Sequence, residues 1–421
     1  MDFINFNHHI VATKLNVYGG SEKKRTVILD DGFQYLLKFP DPIREHNRNV
    51  SYVNNALSEY IGCRAFKHTG FSVQEVILGE YVDENNKLKI ACACKDFCQN
   101  GGVLHEIDKV ELASLEKKEK LSFDSVYDTL KSIDGIDAAS VFQEYCDRFI
   151  IDCLIGNPDR HNGNWGLLEK NNKLQLAPVY DCGSSLSPLL SDGELLQNNT
   201  IRNEAINAKS VFEGTNHNTL TYRECLNTDN LFVQQSIKRI VPLINLDVIK
   251  HTINRIPYIS NERKLFYNEL IKQRYDDILL SVLEKQLGIQ KSTEYKKWNA
   301  DTISFVYKTY IAPFASENKL DKKTNNTNDI LPNYDYTINN QHVFLMKNNY
   351  CVGILYLDKS NLNVCKSIQS LRSINIPVDT KITDFIEKKR IAKLFPNTTL
   401  ANGDRNCEDE PIDKTNKTVY D

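Results

Sequence analysis

Between His9 and Phe39, apolar and polar residues alternate through three short runs, HIVATKLNV, RTVIL and QYLLKF, separated by Tyr18-Gly19-Gly20-Ser21 and Asp30-Asp31-Gly32. A period of two sets one face of each run against a core, and glycine-containing turns between such runs predict an antiparallel meander. From Pro42 the period changes. Val50, Val53, Leu57 and Ile61 recur at three- and four-residue steps, the buried stripe of a helix over 43–66, with Gly70 as its stop. Residues 71–81 and 88–97 return to strand texture, so the first 97 residues predict a small β-rich lobe with one long helix.

Two adjacent glycines mark 98–103 as a hinge, and beyond it the pattern turns helical. Over 138–155, Val141, Tyr145, Phe149 and Cys153 share one face, and Gly156 stands where a C-cap belongs. The next segment, Gly156-Asn157-Pro158-Asp159-Arg160-His161-Asn162-Gly163-Asn164, is too rich in Gly, Pro and Asn for helix or strand and is expected to be a loop. A hairpin pairing 165–168 with 174–176 around Asn171-Asn172 follows, and further helices occupy 229–288. The polar stretch 318–328 reads as a linker, and HVFLMK and YCVGILYL as a hairpin turning at Asn348-Asn349. Residues 383–394 read as a helix capped by Thr383, with a mobile polar tail from Thr399. The expected fold is α+β and bilobal: 1–97 the β-rich lobe, 98–103 the hinge, 104–290 a mostly helical lobe, 291–329 a connector, 330–398 a small α+β region and 399–421 the tail.

Composition narrows the function classes. Hydrophobic residues at 41% and charged residues at 25% are ordinary for a globular chain and exclude a fibre or wholesale disorder. Lys+Arg 52 against Asp+Glu 55 gives a net charge of -3, so the chain lacks the cationic excess that nonspecific nucleic-acid or acidic-membrane binding needs. No run approaches the ~20 apolar residues of a membrane span. Eleven cysteines, an odd number spread along the chain, do not form a disulfide framework, which points to a reducing, cytoplasmic setting. Cys92, Cys94 and Cys98 lack the paired spacing of a zinc site and lie in a strand-like run, so core packing is their expected role.

The chemistry concentrates in 156–183. Asp159 and Asn164 stand five residues apart on one loop, the spacing of a kinase catalytic loop. Phosphoryl transfer needs a carboxylate to orient the attacking hydroxyl and an oxygen ligand to hold Mg²⁺ beside the phosphates. Asp159 suits the first task and Asn164 the second. Twenty-two residues after Asp159 comes Tyr180-Asp181-Cys182-Gly183, similar to the kinase D-F-G element but with Cys182 in place of Phe; Asp181 at a strand end would meet the same metal. Upstream, Lys38 on the third strand after a glycine turn stands where kinases keep the ammonium that holds the α and β phosphates. Glu59 on the following helix is its expected partner, with Glu45 in reserve. Gly19, Gly20 and Ser21 form a turn whose backbone N–H groups can approach phosphate oxygens. Singly, each fragment has a bland reading as helix cap, turn signal, solvated strand lysine or exposed helix glutamate. Their order along the chain favours the chemical one.

Together these residues resemble the HipA-like family of bacterial serine/threonine kinases in its compact stand-alone form. The strongest matches are GNPDRHNGNWG and APVYDCGSSL; YLLKF, SEYIGCRAF and CACKDF support them. The resemblance covers roughly residues 10–290. It implies ATP and Mg²⁺ between two lobes, transfer of the γ-phosphoryl group to Ser or Thr of a protein, possible toxin action on the translation machinery, and autophosphorylation at Ser21 of the glycine turn, with Ser184, Ser185 and Ser187 as competing positions. Adenine is then expected on backbone groups of Cys94, Lys95 and Asp96. Little chain precedes Gly19, so the extra N-terminal subdomain of full-length HipA toxins is expected to be absent, which leaves the usual DNA-binding antitoxin partner uncertain. The D-R-H-x-x-N signature is shared with phosphatidylinositol kinases, which keeps a lipid or small-molecule kinase as the alternative, alongside a catalytically dead binding module.

Overall fold

In the computed structural model of the chain, the described residues are 4–8, 10–11, 24–40, 54–82, 86, 88–99, 101–113, 120–197, 199–214, 218–257, 259–288, 335–340, 342–347, 349–357 and 371–375. Two compact units share the chain, Met1–Ser236 with Leu246–Leu279, and Ile237–Asn245 with Leu280–Asp421.

The first unit opens with β1 (Ile4–Asn5) and then the expected meander of β2 (Ile10–Val11), β3 (Lys24–Ile28) and β4 (Gln34–Lys38), paired antiparallel. Gly32, at φ +76°, closes the β3–β4 turn in the left-handed region that glycine occupies without strain. After α1 (Asn55–His68), β5 (Val76–Val82) and β6 (Leu88–Lys95) complete a six-stranded sheet in the order β1-β5-β6-β4-β3-β2, with only β1 and β5 parallel. Residues directly opposite across an antiparallel ladder share a face. Leu37 opposite Ala93 therefore joins Phe6, Val27, Leu29, Tyr35, Phe39 and Ala91 in a core on one side of the sheet. Lys38 opposite Cys92, and Leu36 opposite Cys94, face the other side, against which α1 packs. This register, set by the alternation in QYLLKF, delivers a lysine to a buried helix.

The first part of the helix expected over 43–66 lies outside the described residues; its described part ends at His68, just before Gly70 at φ +98°. Residues 71–75 do not continue the expected strand. Val73 instead bridges Val179 in parallel, with Val179 N donating to Ser72 O at 2.9 Å and Gln74 N to Val179 O at 2.8 Å. The chain between α1 and β5 is thus tied to the segment leading into Tyr180 and Asp181.

β7 (Val103–Glu106) pairs with a hairpin of β8 (Gly166–Lys170) and β9 (Lys173–Leu176), so the expected helical region carries a small sheet as well. Asn171 and Asn172, at φ 52° and 56°, make the two-residue hairpin turn in which both central residues are left-handed. Between β7 and β8 run α2 (Ile107–Ala113), α3 (Phe123–Lys131) and α4 (Ala138–Ile155). Asp137 caps α4 by accepting from Ala139 N and Ser140 N, and every residue from Tyr145 to Ile155 is buried. This half of the helix is enclosed on all sides, its charged residues Asp147, Arg148 and Asp152 included, so the single-face reading of α4 was too narrow. Downstream come α5 (Thr200–Ile206), a β10 (Lys209–Glu213) and β11 (Thr219–Thr221) pair absent from the sequence reading, then α6 (Tyr222–Leu226), α7 (Leu231–Ile240), α8 (Leu246–Asn254) and α9 (Asn261–Arg274).

In the second unit, α10 (Ser281–Gln286) precedes a four-stranded antiparallel sheet of β12 (Asp335–Asn339), β13 (His342–Lys347), β14 (Tyr350–Leu357) and β15 (Leu371–Asn375). β13 and β14 are the expected hairpin. The expected linker 318–328, helix 383–394 and tail lie outside the described residues.

Gly156 ends α4 at φ +62°, and a Cβ there would lie 2.4 Å from the guanidinium carbon of Arg274. That buried guanidinium donates to Ile155 O at 2.7 Å and Glu204 O at 3.0 Å, satisfying carbonyls at the ends of α4 and α5. Gly156→Ala adds both left-handed strain and a clash. It is expected to cost about 1–3 kcal/mol in urea unfolding, whereas Gly101→Ala, with open space around its Cβ, should show the backbone term without the clash.

Candidate active site

Lys38 is 6% exposed, and its ammonium has two carboxylate partners, Glu59 Oε2 at 2.9 Å and Asp181 Oδ1 at 2.8 Å. Burying an ammonium this deeply is tolerated only with such pairing. Glu59 is fully buried on α1, and its Oε2 also accepts from Cys182 N at 3.1 Å. One helical turn further on, Cys63 Sγ donates to Glu59 Oε1 at 3.6 Å; its contact with Cys182, together with burial, pushes the Cys63 thiol well above the usual range. Gly62 permits the close approach, since a Cβ there would fall 2.6 Å from Cys182 Cβ. Asp181 sits at φ 57°, a left-handed conformation rare for a residue with a side chain, and this turn directs its carboxylate at Lys38.

Arg160 organises the loop after α4. Its guanidinium forks onto Asp152, Nε to Oδ2 at 3.0 Å and Nη2 to Oδ1 at 3.1 Å; Nη1 donates to Asn164 O at 2.8 Å and to Tyr180 O, and Nη2 reaches Cys182 Sγ at 3.4 Å. One planar cation therefore joins α4, the loop and the segment around Asp181. Asn157 Nδ2 donates to Asp152 Oδ1 at 3.1 Å, while its Oδ1 accepts from Asp159 N at 3.2 Å, fixing the start of the loop.

Asp159 is half exposed. Asn164 Nδ2 donates to Asp159 O at 2.7 Å and to Oδ2 at 3.3 Å, Ser184 Oγ donates to Oδ2 at 3.3 Å, and His161 Nε2 lies 3.5 Å from Oδ1. Burial raises the Asp159 carboxyl above its ordinary value; His161 opposes the shift and Asp181 adds to it.

Five of the expected residues thus converge, Lys38 with Glu59 and Asp181, and Asp159 with Asn164. The strand end behaves differently. Cys94 is fully buried on the α1 side of the sheet. Lys95 turns its ammonium over the Phe33 ring, 3.8 Å from the centroid, with Asp31 at 3.3 Å and Glu75 at 3.4 Å. Lys95 N donates to Glu75 O, Lys95 O accepts from Gln74 Nε2, and Asp96 N donates to Gln34 O. These bonds tie the strand end to its neighbours on both edges. Gly19, Gly20, Ser21 and Glu45 lie outside the described residues.

Sequence reasoning assigned no role to Asp152, Asn157 or Cys63. A signal for Asp152 exists: an acid inside the apolar run RFIIDCLI needs a buried cation, and Arg160 is the one that follows.

Residues 16–242 match the family profile described as the HipA-like C-terminal domain. The chain belongs to that family. Among HipA-like relatives, the serine/threonine-protein kinase CtkA of Helicobacter pylori strain J99 is 32% identical over 279 residues, covering 62% of this chain and 82% of the relative. The crystal structure of the H. pylori proinflammatory kinase CtkA superposes with a TM-score of 0.61 at 27% identity, over 69% of this chain and all of that one. The described part of this HipA-like chain has no helix long and apolar enough to cross a membrane.

The raised Asp159 carboxyl makes a signed prediction. Because its folded value lies above the unfolded one, the folded state binds the proton more tightly, and stability falls as pH rises through that window. The penalty is absent below the unfolded value of about 3.9 and grows as pH rises above it. Asp159→Asn should therefore melt at a higher temperature than the native chain at pH 7, with the gap closing as the pH is lowered towards 4. Thermal unfolding across that range measures it, and a gap that widens on acidification contradicts the assignment.

Proposed function

We propose that this chain is an ATP- and Mg²⁺-dependent serine/threonine protein kinase of the HipA-like type, with a bilobal kinase-like arrangement in its first unit. The observation that carries the reading is the Lys38 ammonium held between Glu59 and Asp181, next to a loop that offers Asp159 and Asn164. The kinase relative matched over most of its own length supports the same reaction class.

In this reading Glu59 aims Lys38 at the nucleotide phosphates, and the turn of Gly19, Gly20 and Ser21 covers them with backbone N–H groups. The Asn164 amide spends its N–H₂ on Asp159 and so presents its oxygen outward, and Asp181 adds a carboxylate, a hard oxygen pair that suits Mg²⁺. A metal ion held by this pair would supply charge neutralisation on the phosphate oxygens. Asp159 orients the acceptor hydroxyl and takes its proton, a role favoured by a carboxyl whose basicity burial has increased. Arg160 holds both metal-binding segments through backbone carbonyls and stays out of the transfer itself. Ser184, with its hydroxyl 3.3 Å from Asp159 Oδ2, is the described serine best placed for autophosphorylation. The family resemblance suggests a protein substrate in the translation machinery.

Phosphate transfer from labelled ATP, by purified chain alone and with a cell lysate, tests the proposal. Asp159→Asn should bind ATP with near-native affinity while transfer falls about 10²–10⁴-fold. Asp181→Ala should instead weaken binding of ATP only when Mg²⁺ is present, read by calorimetry. Undiminished transfer by Asp159→Asn overturns the assignment.

A further inference from the structure

Cys63 and Cys182 take no part in the proposed transfer, yet they stand on either side of Glu59. Cys63 lies four residues along α1 from it, and Cys182 directly follows Asp181. All three side chains are buried: Glu59 0%, Cys63 3% and Cys182 0% exposed. The two sulfurs and a Glu59 oxygen all lie within 4.8 Å of one another. They come from two separate segments, and the missing side chain at Gly62 lets those segments meet.

The sulfur–oxygen spacing fits a tetrahedral ion. A tetrahedral zinc ion with Zn–S of about 2.3 Å and Zn–O of about 2.0 Å holds sulfur and oxygen ligands about 3.5 Å apart and two sulfurs about 3.8 Å apart. Cys63 Sγ and Glu59 Oε1 already stand 3.6 Å apart. The Oε1 atom faces the thiol, while Lys38 and Cys182 N occupy Oε2, so an ion on Oε1 leaves the Lys38 pair in place.

Charge is compatible with a divalent ion. In the described site the Lys38 ammonium stands between the Glu59 and Asp181 carboxylates, and Arg160 Nη2 reaches Cys182 Sγ at 3.4 Å. A divalent cation that displaces both thiol protons to solvent breaks two S–H bonds and forms two metal–sulfur bonds and one metal–oxygen bond. The buried net charge is then unchanged, so the exchange carries no uncompensated charge into the interior. Thiolate ligands favour zinc-type ions over Mg²⁺, which prefers an all-oxygen shell.

We propose that Glu59, Cys63 and Cys182 form a buried site for a thiophilic divalent cation of the zinc type, separate from the oxygen pair of Asn164 and Asp181. Such an ion clips α1 to the segment that carries Asp181. The site stands on its own geometry and does not depend on the kinase reading.

Cobalt serves as the probe. The full chain, treated with chelator under reducing conditions and titrated with Co²⁺ alone, is expected to take up one equivalent with thiolate-to-cobalt charge-transfer absorption and tetrahedral visible bands, all displaced by Zn²⁺. Cys63→Ser and Cys182→Ser should each lose these bands and bind on the order of 100-fold more weakly, whereas Cys225→Ser, at a buried thiol elsewhere in the fold, should keep them. X-ray absorption on the native zinc-loaded chain keeps the test sound if a serine variant fails to fold: two sulfur ligands support the site. A chain without the charge-transfer band, bands that survive in folded Cys63→Ser, or a zinc shell without sulfur overturns it.

Discussion

A lysine ammonium enclosed between a sheet and a helix must find negative charge, and the site follows from how Lys38 finds it. Its position is set by strand alternation, since the face of β4 opposite the Tyr35 and Leu37 core turns towards α1. The two carboxylates that meet it arrive from a helix and from a left-handed turn over a hundred residues later. Removing either partner of a buried pair typically costs about 3–5 kcal/mol, because it leaves the other charge stranded. The pairing therefore fixes three segments of chain relative to one another at the point where a nucleotide phosphate is proposed to bind.

Arg160 and Asp152 repeat the device one layer deeper. The guanidinium fork satisfies the one acid on the buried half of α4 that bonds the loop, and its remaining donors hold the carbonyls of Asn164 and Tyr180. Asp159, by contrast, sits at the surface of this framework, half exposed and with its carboxyl raised by burial. Groups that position are paired and enclosed, whereas the group proposed to handle a proton keeps its carboxyl above its ordinary value even with His161 and Ser184 opposing the shift. That division is the expected signature of a site in which stability is sacrificed locally for chemistry.

Much of this was legible in the residues themselves. The alternation in QYLLKF placed Lys38 on the correct face, Gly156 marked the end of α4, and Asn171-Asn172 marked the hairpin, because each signal is local and sterically strong. The spacing from Asp159 to Asn164 and on to Asp181 was legible as chemistry because phosphoryl transfer calls for one carboxylate near the acceptor beside a pair of oxygen ligands for a metal. The bridge of Val73 to Val179 was not legible: two residues far apart in sequence pair there, and no local pattern encodes the partner. The same holds for β7, a four-residue strand whose pairing with β8 is decided by the hairpin. The pairing of the strand end at Lys95 and Asp96 was not legible either, since it depends on which neighbours extend alongside it, here Gln34 and Glu75.

The central claim is that Lys38 and Glu59 act as one unit in holding nucleotide, and a double-mutant cycle tests it most directly. Calorimetric titration of Mg·ATP into the native chain, Lys38→Met, Glu59→Gln and the double variant gives the coupling. The account predicts that each single change weakens binding and that the double variant binds no worse than Lys38→Met alone, since Glu59 works through the lysine. Penalties that add in full, or native affinity in Lys38→Met, would contradict it.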